Sequence, residues 1–199
     1  MYTIVSAGRC PYIGPGNRLG AARGRSRGRP VLPRTGEDLV AYLLLLSAED
    51  GAARADRGVD GFLWGWVTVL DRHLDAAASL GGGWRGLACQ LYRARTAEPR
   101  RDPALAEPPT DEDAVSDAAD LRRYLATLAV DFARDRREMR ARAARGLWAG
   151  DGGSWAHGTP HAWFDAWAAW LAATPHAHEL EPVTWRSVAQ QLGAAQVYA

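Results

Sequence analysis

The feature that most constrains this chain of 199 residues is an internal repeat. The segment 61–95 aligns without a gap onto 162–196 at an offset of 101 residues, and nine of the 35 aligned pairs are identical. The identical pairs include Trp66 with Trp167, Leu70 with Leu171, Trp84 with Trp185, Arg85 with Arg186, Gln90 with Gln191 and Leu91 with Leu192. A duplication is the simplest account of this pattern.

A second repeated block lies upstream of the first. Asp38-Leu39-x-x-Tyr42-Leu43-x-x-Leu46 recurs as Asp120-Leu121-x-x-Tyr124-Leu125-x-x-Leu128 at an offset of only 82 residues. Because the offsets differ, the second copy carries 19 extra residues between its two blocks. We therefore predict one insertion, near residues 133–153.

Apolar spacing in both copies is typical of helices. In the second copy Leu121, Tyr124, Leu125, Leu128 and Phe132 recur every three or four residues, as on one face of a helix. No strand-like alternation exceeds four positions. We expect an all-α fold, a tandem duplication of a small three-helix unit with about six principal helices. Each unit is near the lower size limit for an independent core, so the copies should pack on each other.

Composition divides the chain into four parts. Residues 1–36 hold seven Arg and no acid, and Gly and Pro recur there without apolar periodicity, so 1–34 is predicted to be a disordered basic arm. Residues 35–95 form the first, diverged repeat. The Pro-rich acidic stretch 96–116 is the predicted linker, and 117–199 is the second repeat with its insertion.

Helix starts in the second copy carry capping residues. Ser116 is predicted as the N-cap of the first helix, with Asp117 and Asp120 in its first turn. Thr159 is the predicted N-cap of the next helix, with Pro160 at its first position, and Thr184 is the N-cap of the last.

The second copy resembles a bacterial domain family of unknown function with the pattern W-E-N-x-T-L-x-x-F-L-x-A-x-x-x-W followed near the C-terminus by P-x-W-x-x-x-A-x-x-L-x-A-A-x-x-Y. The corresponding residues here are Trp155, Thr159, Trp163, Phe164, Trp167 and Trp170, followed by Pro182, Trp185, Ala189, Leu192, Ala194, Ala195 and Tyr198. Ala156 and His157 depart from the Glu and Asn of that pattern. The resemblance covers about 85 residues and implies a helical fold without an established reaction.

Four of the five histidines, His157, His161, His176 and His178, fall within 22 residues. His157 and His161 could present two imidazoles to a metal if both were helical, with His176 and His178 closing the shell. Pro160 places His157 before the helix, however, and the first copy has no equivalent histidines. A metal site is the less favoured reading, and no cofactor is expected.

The candidate partner-binding residues are Trp148, Arg145, Arg186 and Trp155. Tryptophan and arginine are favoured anchors of protein interfaces, and the insertion is the one stretch that the shorter copy folds without. Arg85 and Arg186 follow the paired tryptophans in both copies. Each could bind a ligand or form a structural ion pair, and we favour the ion pair.

The function that this sequence favours is a non-catalytic helical module that binds an unidentified protein partner, for instance an immunity-type or regulatory protein. A nucleic-acid-associated protein tethered by its Arg-rich arm is the alternative, and a metal-dependent enzyme using the histidine cluster is third. Cys10 and Cys89 have different surroundings, so no disulfide framework is expected. With no apolar run long enough for a membrane span or a secretory signal, the expected location is the cytoplasm.

Overall fold

The computed structural model of this protein describes residues 32–53, 58–77, 83–147, 153–174 and 183–198, except for the side chains of 50–53 and 73–77. These residues form six α-helices and no strand. The helices are α1 (Gly36–Ala53), α2 (Val59–Ala77), α3 (Trp84–Thr96), α4 (Ala118–Ala144), α5 (Pro160–Ala173) and α6 (Trp185–Val197). The prediction of an all-α fold with six principal helices is confirmed.

The two repeats exchange their first helices. Helix α1 packs chiefly against α5 of the second repeat, and α4 packs chiefly against α2 of the first. Helices α3 and α6 remain with α2 and α5 of their own repeats. Phe62 of α2 also contacts Phe164 of α5. The two rings meet edge-on, with their centroids 5.0 Å apart. One core therefore spans both repeats, which relieves the size limit on each.

The large apolar residues that are identical in both copies lie in this core. Trp66, Leu70, Trp84 and Leu91 are buried in the first repeat, as are their counterparts Trp167, Leu171, Trp185 and Leu192 in the second. The upstream block behaves in the same way, since Leu39, Leu43 and Leu46 are buried together with Leu121, Leu125 and Leu128. Burial at helical spacing explains why these apolar positions recur in both copies.

The recurring aspartates cap the exchanged helices. Asp38 accepts hydrogen bonds from the backbone N–H groups of Arg34 and Thr35, while the Thr35 hydroxyl accepts from the Asp38 N–H. In α4 the N-cap is Asp117, one residue after the predicted Ser116. Ser116 instead donates from its N–H and its hydroxyl to Asp120. This donation lowers the pKa of Asp120 from its ordinary value.

The predicted linker packs on the helices. Its two 3₁₀ turns, Pro103–Ala106 and Glu112–Ala114, lie against α4 and α6 respectively. The N–H of Arg100 donates to the Thr68 hydroxyl at 3.0 Å, which holds the start of the linker on α2. The segment 96–116 is therefore part of the folded body.

Two sequence predictions about the first repeat and the arm before it differ from the structure. Leu32 and Pro33 are buried, so the packed chain begins before the predicted end of the arm at 34, while residues 1–31 lie outside the described part. Cys89 of α3 is disulfide-bonded. The expectation of no disulfide is wrong for this residue, whose partner lies outside the described residues.

Candidate interaction surface

The first part of the predicted insertion continues α4. The helix runs for 27 residues to Ala144, and nine of the eleven residues from Arg137 to Leu147 are exposed. That stretch contains four arginines and one glutamate. The buried part of α4 ends with Phe132 and Asp135, so we call residues 137–147 the α4 projection. It is an exposed, basic helix end.

The α4 projection ends in a Schellman motif. Gly146 has a φ of 70°, its N–H donates to the Ala143 carbonyl, and the N–H of Leu147 donates to the Arg142 carbonyl at 3.1 Å. Glycine adopts this left-handed conformation without the steric penalty that other residues incur. The motif satisfies carbonyls that the helix end would otherwise leave without donors.

A short segment, Gly153–His157, fastens the base of the projection to the body. The Ser154 N–H donates to Asp135 Oδ1 at 2.6 Å, and Arg136 Nη2 donates to the Trp155 carbonyl at 2.7 Å. Asp135 is buried and forms an ion pair with Arg136 at 2.8 Å. A Cβ added to Gly153 would lie only 2.7 Å from Asp135 Oδ1, so the segment can approach because this residue is glycine.

Trp155 belongs to the core. Its side chain is 3% exposed, its ring meets Phe132 edge-on at a centroid distance of 5.1 Å, and its indole N–H donates to Asp131 Oδ2 at 2.8 Å. Trp155 is predicted to bind a partner, but its buried side chain offers no exposed surface for one. Both of these contacts come from α4, from residues 23 and 24 positions earlier in the chain.

The same segment also holds the C-terminus. The Ala156 N–H donates to the Gln196 carbonyl at 3.1 Å, and Gln196 Nε2 donates to the Ser154 carbonyl at 3.2 Å. His157 Nε2 lies 2.6 Å from the Tyr198 carbonyl. Gly153–His157 thus joins α4 to the end of α6. Sequence reasoning missed Asp131, Asp135, Arg136 and Gln196, because helical spacing does not show which distant segment a polar side chain will contact.

The remaining predicted anchors are separated in the structure. Arg145 is exposed at the end of α4, where its Nε donates to the Ala141 carbonyl. Trp148 lies outside the described residues. Arg186 is exposed in the first turn of α6, and Arg85 is exposed at the equivalent point of α3. Neither Arg85 nor Arg186 forms an ion pair with another residue of the described part, so the structural ion pair favoured for both stays a prediction.

The histidines do not come together as ligands in the described part of the chain. His157 precedes α5, as Thr159 and Pro160 predicted, and it faces a carbonyl. His161 Nε2 lies 3.5 Å from the Thr159 hydroxyl. His176 and His178 lie outside the described residues. Among the residues described, no three His, Cys, Asp or Glu side chains are grouped as a metal would require.

None of the helices described has the length and apolar character needed to cross a membrane. No protein family, no curated protein and no solved structure matches the chain.

Proposed function

We propose that this protein is a non-catalytic interaction module, of an immunity-type or regulatory kind, that binds a protein partner through the α4 projection. The observation that carries the proposal is an exposed helix end, rich in arginine, that joins the body at the buried and hydrogen-bonded Asp135. The shorter first repeat completes its helices without such an extension, so the projection adds surface to the molecule and little core.

The base of the projection is what makes it suited to recognition. Asp135, Arg136 and Ser154 fix the orientation of the helix where it leaves the body. A surface held in place before binding loses less conformational entropy when the partner docks. Four arginines against one glutamate favour a partner with an acidic surface, since complementary charge guides association and selects among partners.

Site-specific photo-crosslinking in cells that produce the protein tests this proposal. A benzophenone amino acid replaces Ala141 in the projection, and in the control it replaces Ala119, which is exposed at the other end of the same helix. We expect a discrete crosslinked species from position 141 only. The double variant Arg137→Glu, Arg140→Glu should abolish it, whereas Arg72→Glu, Arg85→Glu on α2 and α3 should not. Equal crosslinking from both positions would contradict the proposal.

The other predicted anchors are tested separately. Arg145→Glu should weaken the crosslink in the same direction as the double variant, because Arg145 ends the projection. Arg186→Glu tests whether the first turn of α6 also contacts the partner. If Arg186→Glu alone abolished the crosslink, the binding surface would have to be moved to α6.

Nucleic-acid association is the second candidate, and the same excess of arginine favours it. Binding through phosphate contacts weakens steeply with salt, because it releases counterions. Duplex DNA that binds at low salt, is released by salt and is lost in Arg137→Glu, Arg140→Glu would support this candidate over a protein partner. Binding lost only on removal of residues 1–31 would instead assign it to the basic arm.

A further inference from the structure

Helix α1 carries an apolar stripe on its outer face. Ala41, Leu44, Leu45 and Ala48 are all exposed, and they follow each other at the i, i+3, i+4, i+7 spacing of one helix face. Leu44 is 49% exposed and Leu45 is 38% exposed. The opposite face of α1, with Leu39, Leu43 and Leu46, is fully occupied by the core, so this stripe is a second apolar face on the same helix.

The equivalent face of α4 is covered within the chain. The offset of 82 residues places Ala126 and Thr127 where α1 has Leu44 and Leu45. Ala126 is buried, and the Thr127 hydroxyl accepts from the Thr110 N–H of the linker at 3.2 Å. The first 3₁₀ turn of the linker packs on this helix. The fold therefore covers the less apolar of the two faces and leaves the more apolar one open.

We propose that the α1 stripe binds a second copy of this chain, with the two α1 helices antiparallel about a two-fold axis. The stripe reads Ala-x-x-Leu-Leu-x-x-Ala, which is the same in both directions. In an antiparallel pair Leu44 lies opposite Leu45 of the other copy, and Ala41 lies opposite Ala48. Such self-complementarity is what a two-fold interface requires, because each copy presents the same surface.

The alanines at both ends make the pairing close. Small side chains there let two helix axes approach to the short end of the usual packing range, so that the four leucines meet at the centre. The stripe spans only about two helical turns and presents four side chains, whereas a standard interface takes about 20–30 residues from each partner, so the dimer is weak. Since α4 has no open counterpart, association stops at two copies.

Sedimentation of the full chain between about 5 and 500 µM, a range chosen for a small interface, tests the proposal. We expect the weight-average mass to rise from 21.6 kDa towards twice that value. Leu44→Glu places like charges across the axis and should hold the mass at one copy without changing thermal stability. Val197→Glu, a change at a 65% exposed residue of α6, should associate as the parent does. A monomer throughout, or a dimer that survives Leu44→Glu, would overturn the proposal.

Cysteine crosslinking tests the antiparallel register. A mixture of Ala41→Cys and Ala48→Cys chains should form mixed disulfide dimers, at least several times faster than either variant alone. Faster crosslinking of Ala41→Cys chains to each other would mean a parallel pair and would contradict the antiparallel geometry. In chains that also carry Cys89→Ser, the thiol of Leu45→Cys could react slowly with iodoacetamide in a monomer and quickly after removal of residues 1–31. That result would mean that the chain covers its own stripe and would contradict the proposal. The α4 projection is unchanged in all these variants, so failure here is separable from failure of the proposed function.

Discussion

The indole N–H of Trp167 donates to Gln191 Oε1 at 3.1 Å, and the same bond joins Trp66 to Gln90 at 3.0 Å in the first repeat. Tryptophan and glutamine recur together because the amide oxygen accepts from the indole N–H where two helices of a repeat meet. The environments differ, however. Gln191 is fully buried, whereas Gln90 is half-buried.

This difference predicts unequal costs for the same substitution. Gln191→Ala leaves the Trp167 N–H buried without an acceptor and opens a small cavity, so we expect a loss of about 2–4 kcal/mol. Gln90→Ala should cost only about 1 kcal/mol, because Gln90 is half-buried and water can enter the space that its amide leaves. Urea unfolding followed by tryptophan fluorescence measures both. Val197→Ala, at a 65% exposed residue of the same helix as Gln191, is the control and should stay within about 0.5 kcal/mol of the parent. Equal losses at Gln90 and Gln191 would refute the argument.

The second prediction concerns Gly193 on α6. A Cβ there would overlap Glu112 Oε2 of the second 3₁₀ turn and would lie 2.9 Å from the Tyr124 hydroxyl. Gly193→Ala should therefore push the Glu112 carboxylate away from Tyr124 and offset much of the about 1 kcal/mol that alanine in a helix interior normally gains over glycine. Melting temperatures of Gly193→Ala, Glu112→Ala and the double variant check this. Gly193→Ala should be more stabilising when Glu112 is already truncated, and an equal effect in both backgrounds would contradict the clash.

The helices and the core positions could be predicted from the sequence, because apolar spacing and burial have the same local cause. The exchange of α1 and α4 could not be predicted, since spacing shows that a helix has an apolar face but not which helix it meets. Trp155 was misassigned for a related reason. Arg54 occupies its place in the first repeat, so it looked additional to the core, while Phe132 and Asp131, which bury it, lie 23 and 24 residues upstream.

The third prediction is a loss of stability in alkali that depends on Tyr124. Burial, followed by the negative charge of Glu112 and the hydrogen bond to it, raises the pKa of Tyr124 far above its ordinary value. The unfolded chain loses this proton near pH ~10 and the folded chain does not, so stability is complete below that pH and falls as the pH rises above it. Unfolding free energies measured at about pH 9 and pH 11 should fall less in Tyr124→Phe than in the parent. An identical fall in both proteins would sink the assignment.

The last prediction concerns Asp135 at the base of the α4 projection. Its buried carboxylate accepts from the Ser154 N–H and pairs with Arg136, which in turn donates to the Trp155 carbonyl. Asp135→Ala leaves the Arg136 charge partly buried and uncompensated, so we expect a loss of about 3 kcal/mol or more. Asp135→Asn keeps an acceptor for Ser154 and should cost less.

Hydrogen exchange separates this fastening role from a general loss of stability. In Asp135→Ala the Ser154 and Ala156 amides should exchange much faster, because their acceptors at Asp135 and Gln196 are removed or displaced, while the Leu70 and Leu91 amides change only with global stability. Glu138→Ala, an exposed change on the next turn of α4, is the matched control and should alter neither quantity by more than about 0.5 kcal/mol. If Asp135→Ala left the Ser154 amide protected, Gly153–His157 would be held by Gln196 and Tyr198 alone, and the projection would have no fixed base at α4.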